Sequence, residues 1–72
     1  MEPLNEGLKK VLADALDKRR RDDTVENAVS REARRAGLRY QDYLDIMEAV
    51  RVLSRKDKLD PWMAAKALLD QQ

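Results

Sequence analysis

Apolar residues recur along this chain in four separate stripes, each at the spacing of a helix face. Leu4, Leu8, Val11, Leu12, Ala15 and Leu16 form the first, a narrow stripe that predicts a helix over about 4–20. Val25, Ala28, Val29, Ala33 and Ala36 form a thinner second one over about 24–36, with small side chains that let a neighbouring helix approach closely. Tyr40, Tyr43, Leu44, Ile46, Met47, Val50 and Leu53 form the third, over about 40–54. Placed at about 100° per residue they cover half the circumference, the broadest apolar face in the chain, which predicts the central helix. Trp62, Ala65 and Leu69 share a line over about 60–71, with Leu68 beside it. The alternation that a half-buried strand would show is missing throughout.

The residues between the stripes punctuate them. Gly7 weakens the first turn of the first helix by about 1 kcal/mol relative to alanine. Lys18, Arg19, Arg20 and Arg21 crowd its end, where cations meet the negative end of the helix dipole. Asp23 reads as an N-cap, with Glu26 three residues on to close a capping box. Gly37 directly follows the second stripe, where a left-handed C-terminal cap is expected. Arg55 to Lys58 reads as a charged connection. Asp60-Pro61 then starts the fourth helix, with Asp as N-cap and Pro at the first helical position. The expectation is an all-α fold: a single domain over residues 1–72, built as a compact bundle of four short helices. The second and third helices are expected to form a helix-turn-helix-like hairpin.

Composition narrows the chemistry. A chain of 72 residues buries only about 60% of its unfolded surface, so helical packing or a partner must supply its stability. With neither Cys nor His, disulfides, thiolate or imidazole metal sites, thiolate nucleophiles and Ser-His-Asp arrangements are excluded. Gly7 and Gly37 are too far apart to make a phosphate-cradling loop, and no EF-hand-like spacing occurs. Paired carboxylates remain, as Asp42 with Asp45 or Asp45 with Glu48, but a domain this small leaves little room for a cleft between them. No enzyme activity, no cofactor and no small-molecule substrate are expected. No apolar run approaches the ~20 residues of a membrane span, no signal peptide is read at the start, and a cytoplasmic setting is expected. Nine Arg against six Lys, with abundant Ala, suggest a bacterial or phage source.

The join between the second and third helices carries the sharpest motif. Ala33 stands four residues before Gly37, Leu38 follows, and Tyr43 and Ile46 come six and nine residues after it. A small residue lets two helices cross, Gly makes the turn, and the later apolar residues anchor a reading helix. The segment SREARRAGLRYQDYLDI resembles, in a general way, the helix-turn-helix of bacterial regulators. The resemblance covers about 20 residues, points to no particular family, and implies DNA binding with Arg34, Arg35, Arg39, Tyr40 and Gln41 nearest the nucleic acid. The sequence departs from that pattern at Glu32, where an apolar residue is usual. It departs again at Asp42 and Asp45, which would approach phosphates. Tyr40 and Leu44 fall on the side that would face the groove.

Charge and bulk suggest a second reading. Residues 24–39 hold four Arg against Glu26 and Glu32, whereas the other segments are neutral or slightly acidic. Arg31, Arg35 and Arg39 repeat every four residues and could form one exposed stripe or a solvated face of Arg–Glu pairs. Tyr40, Tyr43, Trp62, Met47 and Met63 are the bulkiest groups, suited to a small core or to a docking surface. The leading expectation is a protein-interaction module or regulator that binds another protein or itself. Its expected contact residues are Tyr40, Leu44, Met47 and Trp62. DNA binding through the helix-turn-helix is the alternative, and a structural subunit of a larger assembly is the third.

Overall fold

The structure, a computed structural model, describes residues 4–70. Four helices are present among them: α1 (Glu6–Asp17), α2 (Val25–Arg35), α3 (Tyr40–Asp57) and α4 (Pro61–Asp70). They form a compact all-α bundle with a radius of gyration of 11.0 Å. A folded chain of this length is expected near 11 Å. No helix among the described residues is long and apolar enough to cross a membrane.

The four stripes meet in one core. Leu12, Ile46, Met47, Val25, Val29 and Val50 are its largest fully buried side chains. Ala15, Ala28, Ala33, Ala64 and Ala65 fill the helix crossings, where small side chains let backbones come close. Contact is most extensive between α3 and α4, then between α1 and α2. The molecule thus divides into the pairs α1–α2 and α3–α4 on either side of the α2–α3 turn. α3 is the longest element but not the central one expected, since every helix touches the other three and α3 meets α1 only slightly.

Each helix start has a specific donor and acceptor. Asn5 accepts the Leu8 N–H at 2.9 Å and caps α1. Asp60 accepts the Met63 N–H at 3.0 Å ahead of Pro61, the start that the Asp-Pro pair predicts. Asp42 accepts the Arg39 N–H at 3.2 Å, so this acid serves the first turn of α3.

Three boundaries differ from the expectation. α1 stops at Asp17 instead of running to about residue 20. The cause is a tight turn over residues 20–23. The Asp23 N–H donates to the Arg20 carbonyl at 3.1 Å, and the Asp23 carboxylate accepts the Arg20 N–H at 2.8 Å. Asp23 therefore points back towards α1, and Thr24 caps α2 by accepting the Asn27 N–H at 3.1 Å. α3 runs on through Arg55, Lys56 and Asp57, since these residues tolerate a helix and nothing among them breaks it. Lys58 ends it in the left-handed region at φ 54°. α4 ends at Asp70; the last expected position, Gln71, lies outside the described residues.

Candidate functional site

Gly37 builds one corner of the molecule. Its φ of 75° lies in the left-handed region, which only glycine enters without strain. The Leu38 N–H then reaches back to the Ala33 carbonyl at 2.9 Å and the Gly37 N–H to the Arg34 carbonyl at 3.1 Å. Together these bonds close the Schellman pattern, and α3 begins three residues after the glycine. Ala33 and Ile46 are buried, and Leu38 and Tyr43 pack against the core. Ala33, Leu38, Tyr43 and Ile46 thus all lie on the core side of the turn.

This corner brings Arg34, Arg35, Arg39, Tyr40 and Gln41 together, all exposed. Tyr40 is 72% exposed. Its ring stacks on that of Tyr43, with centroids 5.7 Å apart and planes 23° from parallel. Leu44, half-buried, lies one turn further along α3. The side of α3 beyond them is less suited to a phosphate surface. Asp45 accepts a hydrogen bond from the Gln41 amide at 2.9 Å, and exposed Glu48 follows.

The other two residues expected at a protein contact face are placed elsewhere. Met47 is 1% exposed and belongs to the core, because it shares the inward face of α3 with Ile46 and Val50. Trp62 is half-buried. Its indole N–H donates to the Asp23 carbonyl at 3.3 Å, and the Arg19 guanidinium lies over its ring, 4.8 Å from the centroid. This residue pins the α1–α2 loop to α4 and leaves little of itself for a partner.

A charge network extends from that loop along α2. Arg31 donates to both oxygens of Asp23, at 2.7 and 3.4 Å. This contact, with the Arg20 N–H, holds the Asp23 carboxyl below the usual carboxylate range. Glu32 is only 3% exposed. Lys18 at 3.8 Å, Arg31 at 3.6 Å and Arg35 at 3.7 Å surround its carboxylate, and its Oε2 has no hydrogen-bond partner. A buried charge costs several kcal/mol of desolvation, which three cations from two elements offset only in part. Arg31 is therefore tied inward and does not form a free stripe with Arg35 and Arg39.

The network also unites charges that the helix boundary separates in the sequence. Lys18, beyond the end of α1, and Arg35, at the end of α2, share one oxygen of Glu32. Residues 18–39 hold eight basic side chains against Asp22, Asp23, Glu26 and Glu32, a net +4. The rest of the chain holds seven against ten, a net −3, so the overall +1 conceals a strongly polarised molecule. Counting by predicted helix divides this basic region between two segments, which is why it is faint in the sequence.

A shallow depression of about 230 Å³ is lined by Glu26, Met47, Val50, Arg51, Ser54, Arg55 and Pro61. It holds a single carboxylate, and the Ser54 hydroxyl donates to the Leu59 carbonyl. No group of three metal-ligating acids is present among the described residues. Comparison of the chain with protein-family models, curated proteins and solved structures finds no match.

Proposed function

We propose that this chain is a non-enzymatic binding module that docks another protein on the corner where α2 turns into α3. The observation behind the reading is the exposed Tyr40, stacked on Tyr43, beside Leu44 and rimmed by Arg34, Arg35 and Arg39. An apolar aromatic centre within a polar rim is the usual anatomy of a protein interface, and Tyr and Arg are enriched at its energetic centre. The rim is basic, so the partner's matching surface is acidic. Gly37 fixes the angle at which the aromatic pair is presented. The proposal takes the chain to work in the cytoplasm, which cell fractionation tests.

Affinity capture from the native host, with nuclease present, tests the docking. Tyr40→Ser should reduce the captured partner at least about tenfold, as loss of about 1.4 kcal/mol at a hot spot implies. Val52→Ser should not, since this exposed residue lies about 18 Å further along α3. Capture unaffected by Tyr40→Ser would sink the proposal. If the partner is a second copy, Tyr40→Asp or Leu44→Asp yields monomers in sedimentation without unfolding.

A second reading, duplex DNA bound through the hairpin, is favoured by the Gly37 turn and the buried Ala33 and Ile46. Against it, Gln41 is held by Asp45, and Asp45 and Glu48 place negative charge on the reading helix. Under this reading Arg34→Glu with Arg35→Glu abolishes duplex binding, and nuclease abolishes capture.

A further inference from the structure

We infer that the α1–α2 loop is a second contact surface, distinct from the tyrosine corner, and that it binds the phosphate backbone of duplex nucleic acid without reading its sequence. The loop runs Lys18-Arg19-Arg20-Arg21-Asp22-Asp23 and contains no apolar side chain. A protein interface needs an apolar or aromatic centre, and this surface has none to offer. Trp62, the one aromatic residue beneath it, is covered by Arg19 and bonded to the loop's own backbone. With the ring half-buried and Arg19 already over it, Trp62 is a poor platform for stacking unpaired bases. Charge remains as the means of recognition.

The cations of the loop are arranged for that role. Its only acid facing inward, Asp23, is engaged by Arg31 and by the Arg20 N–H. Arg20 and Arg21 are exposed and make no ion pair among the described residues. Lys18, about half exposed, is drawn to buried Glu32, and Arg19 is fixed over Trp62, so both are held in place beside Arg20 and Arg21. The turn of residues 20–23 and the Trp62 bond hold the loop rigid, which lowers the entropy lost on binding. A compact set of cations meets more phosphates on a duplex, with one charge per about 1.7 Å of axis, than on a single strand with one per about 3.4 Å. The acidic outward face of α3 keeps that helix out of the groove. The duplex accordingly lies against the loop and the adjoining part of α2.

Fluorescence anisotropy of the full chain with a labelled duplex, measured across a salt series, tests this. With four phosphate contacts, the logarithm of the association constant should fall against log salt with a slope of about −3 to −4. Affinity should be indifferent to the duplex sequence. Arg20→Ala with Arg21→Ala should reduce the slope by about 2 and weaken low-salt binding at least about tenfold. Both side chains are exposed, so circular dichroism should show the fold unchanged. No anisotropy change at low salt overturns the inference. So does loss of binding on Arg39→Ala with Gln41→Ala while the loop variant still binds, which would place the duplex on the hairpin. Competition by poly-glutamate or phosphatidylserine vesicles as strong as that by unlabelled duplex overturns it in favour of an acidic protein or a membrane. The two surfaces fail separately: Tyr40→Ser leaves the salt slope intact, and the Arg20/Arg21 variant leaves partner capture intact.

Discussion

The turn at Gly37 and the turn at Lys58 make the same closing hydrogen bond with different residues. After α2, the Leu38 N–H bonds the Ala33 carbonyl at 2.9 Å; after α3, the Leu59 N–H bonds the Ser54 carbonyl at 3.0 Å. Each has a left-handed residue just before that leucine, Gly37 at φ 75° and Lys58 at φ 54°. Each leucine packs against the core. Glycine enters this region freely, whereas an L side chain there costs about 1–2 kcal/mol. The apolar contact of the following leucine and the backbone bond therefore suffice to impose the turn on a lysine. At Lys58 a third contact helps, the Ser54 hydroxyl on the Leu59 carbonyl, which has no counterpart at Gly37. Local propensity sets one turn and tertiary contact sets the other.

The two turns can be driven apart or made equal by substitution. Gly37→Val should have the largest effect, a loss of about 2 kcal/mol in urea unfolding. An added Cβ would meet nothing within 4 Å, so the loss is conformational and not a clash. If Gly37→Val unfolds no more easily than wild type, the glycine is not what sets that turn. Leu59→Ala should cost about 1–2 kcal/mol and should exceed Leu38→Ala, because the α3 turn depends more on its leucine. Equal losses would break the contrast. Lys58→Gly should stabilise by about 0.5–1 kcal/mol, read as a higher urea midpoint at unchanged m-value. Ser54→Ala should have the smallest effect, a loss of about 0.5–1 kcal/mol, and that loss should persist in the Lys58→Gly background.

The same contrast explains what the sequence disclosed. Gly37 and Asp60-Pro61 act through their own covalent geometry, so they were legible and stand where the pattern put them. The Pro also required α3 to stop before residue 60, but not where, and Lys58 has no local signature of a left-handed residue. Asp23 reads as an N-cap, but its partners are Arg20, three residues back in a turn that periodicity does not mark, and Arg31, which reaches it from the second turn of α2. Periodicity placed Met47 on the apolar side of α3, yet could not say that α3's own neighbours cover it while leaving Tyr40 bare. Glu32 is the reverse case. Its position in the motif called for an apolar residue and the fold does bury it, at a depth no charge pattern along the chain would reveal. The corner of exposed arginines and tyrosine was visible because its residues, Arg34, Arg35, Arg39, Tyr40 and Gln41, flank Gly37 closely in sequence. The run Lys18 to Arg21 was visible too, but its continuity with α2 was not, since it is made in space, by Arg31 on Asp23 and by Lys18 and Arg35 on Glu32.

Trp62 is the chain's only tryptophan, and it sits beneath the loop with a cation against one face and a carbonyl on its nitrogen. Both contacts perturb an indole's excited state, so its emission reports the position of Arg19 and Asp23 without any label. The protein thus contains its own optical gauge of that loop. Anything that draws Arg19 away, or loosens the loop from α4, registers as a change in colour and intensity from a single, unambiguous source.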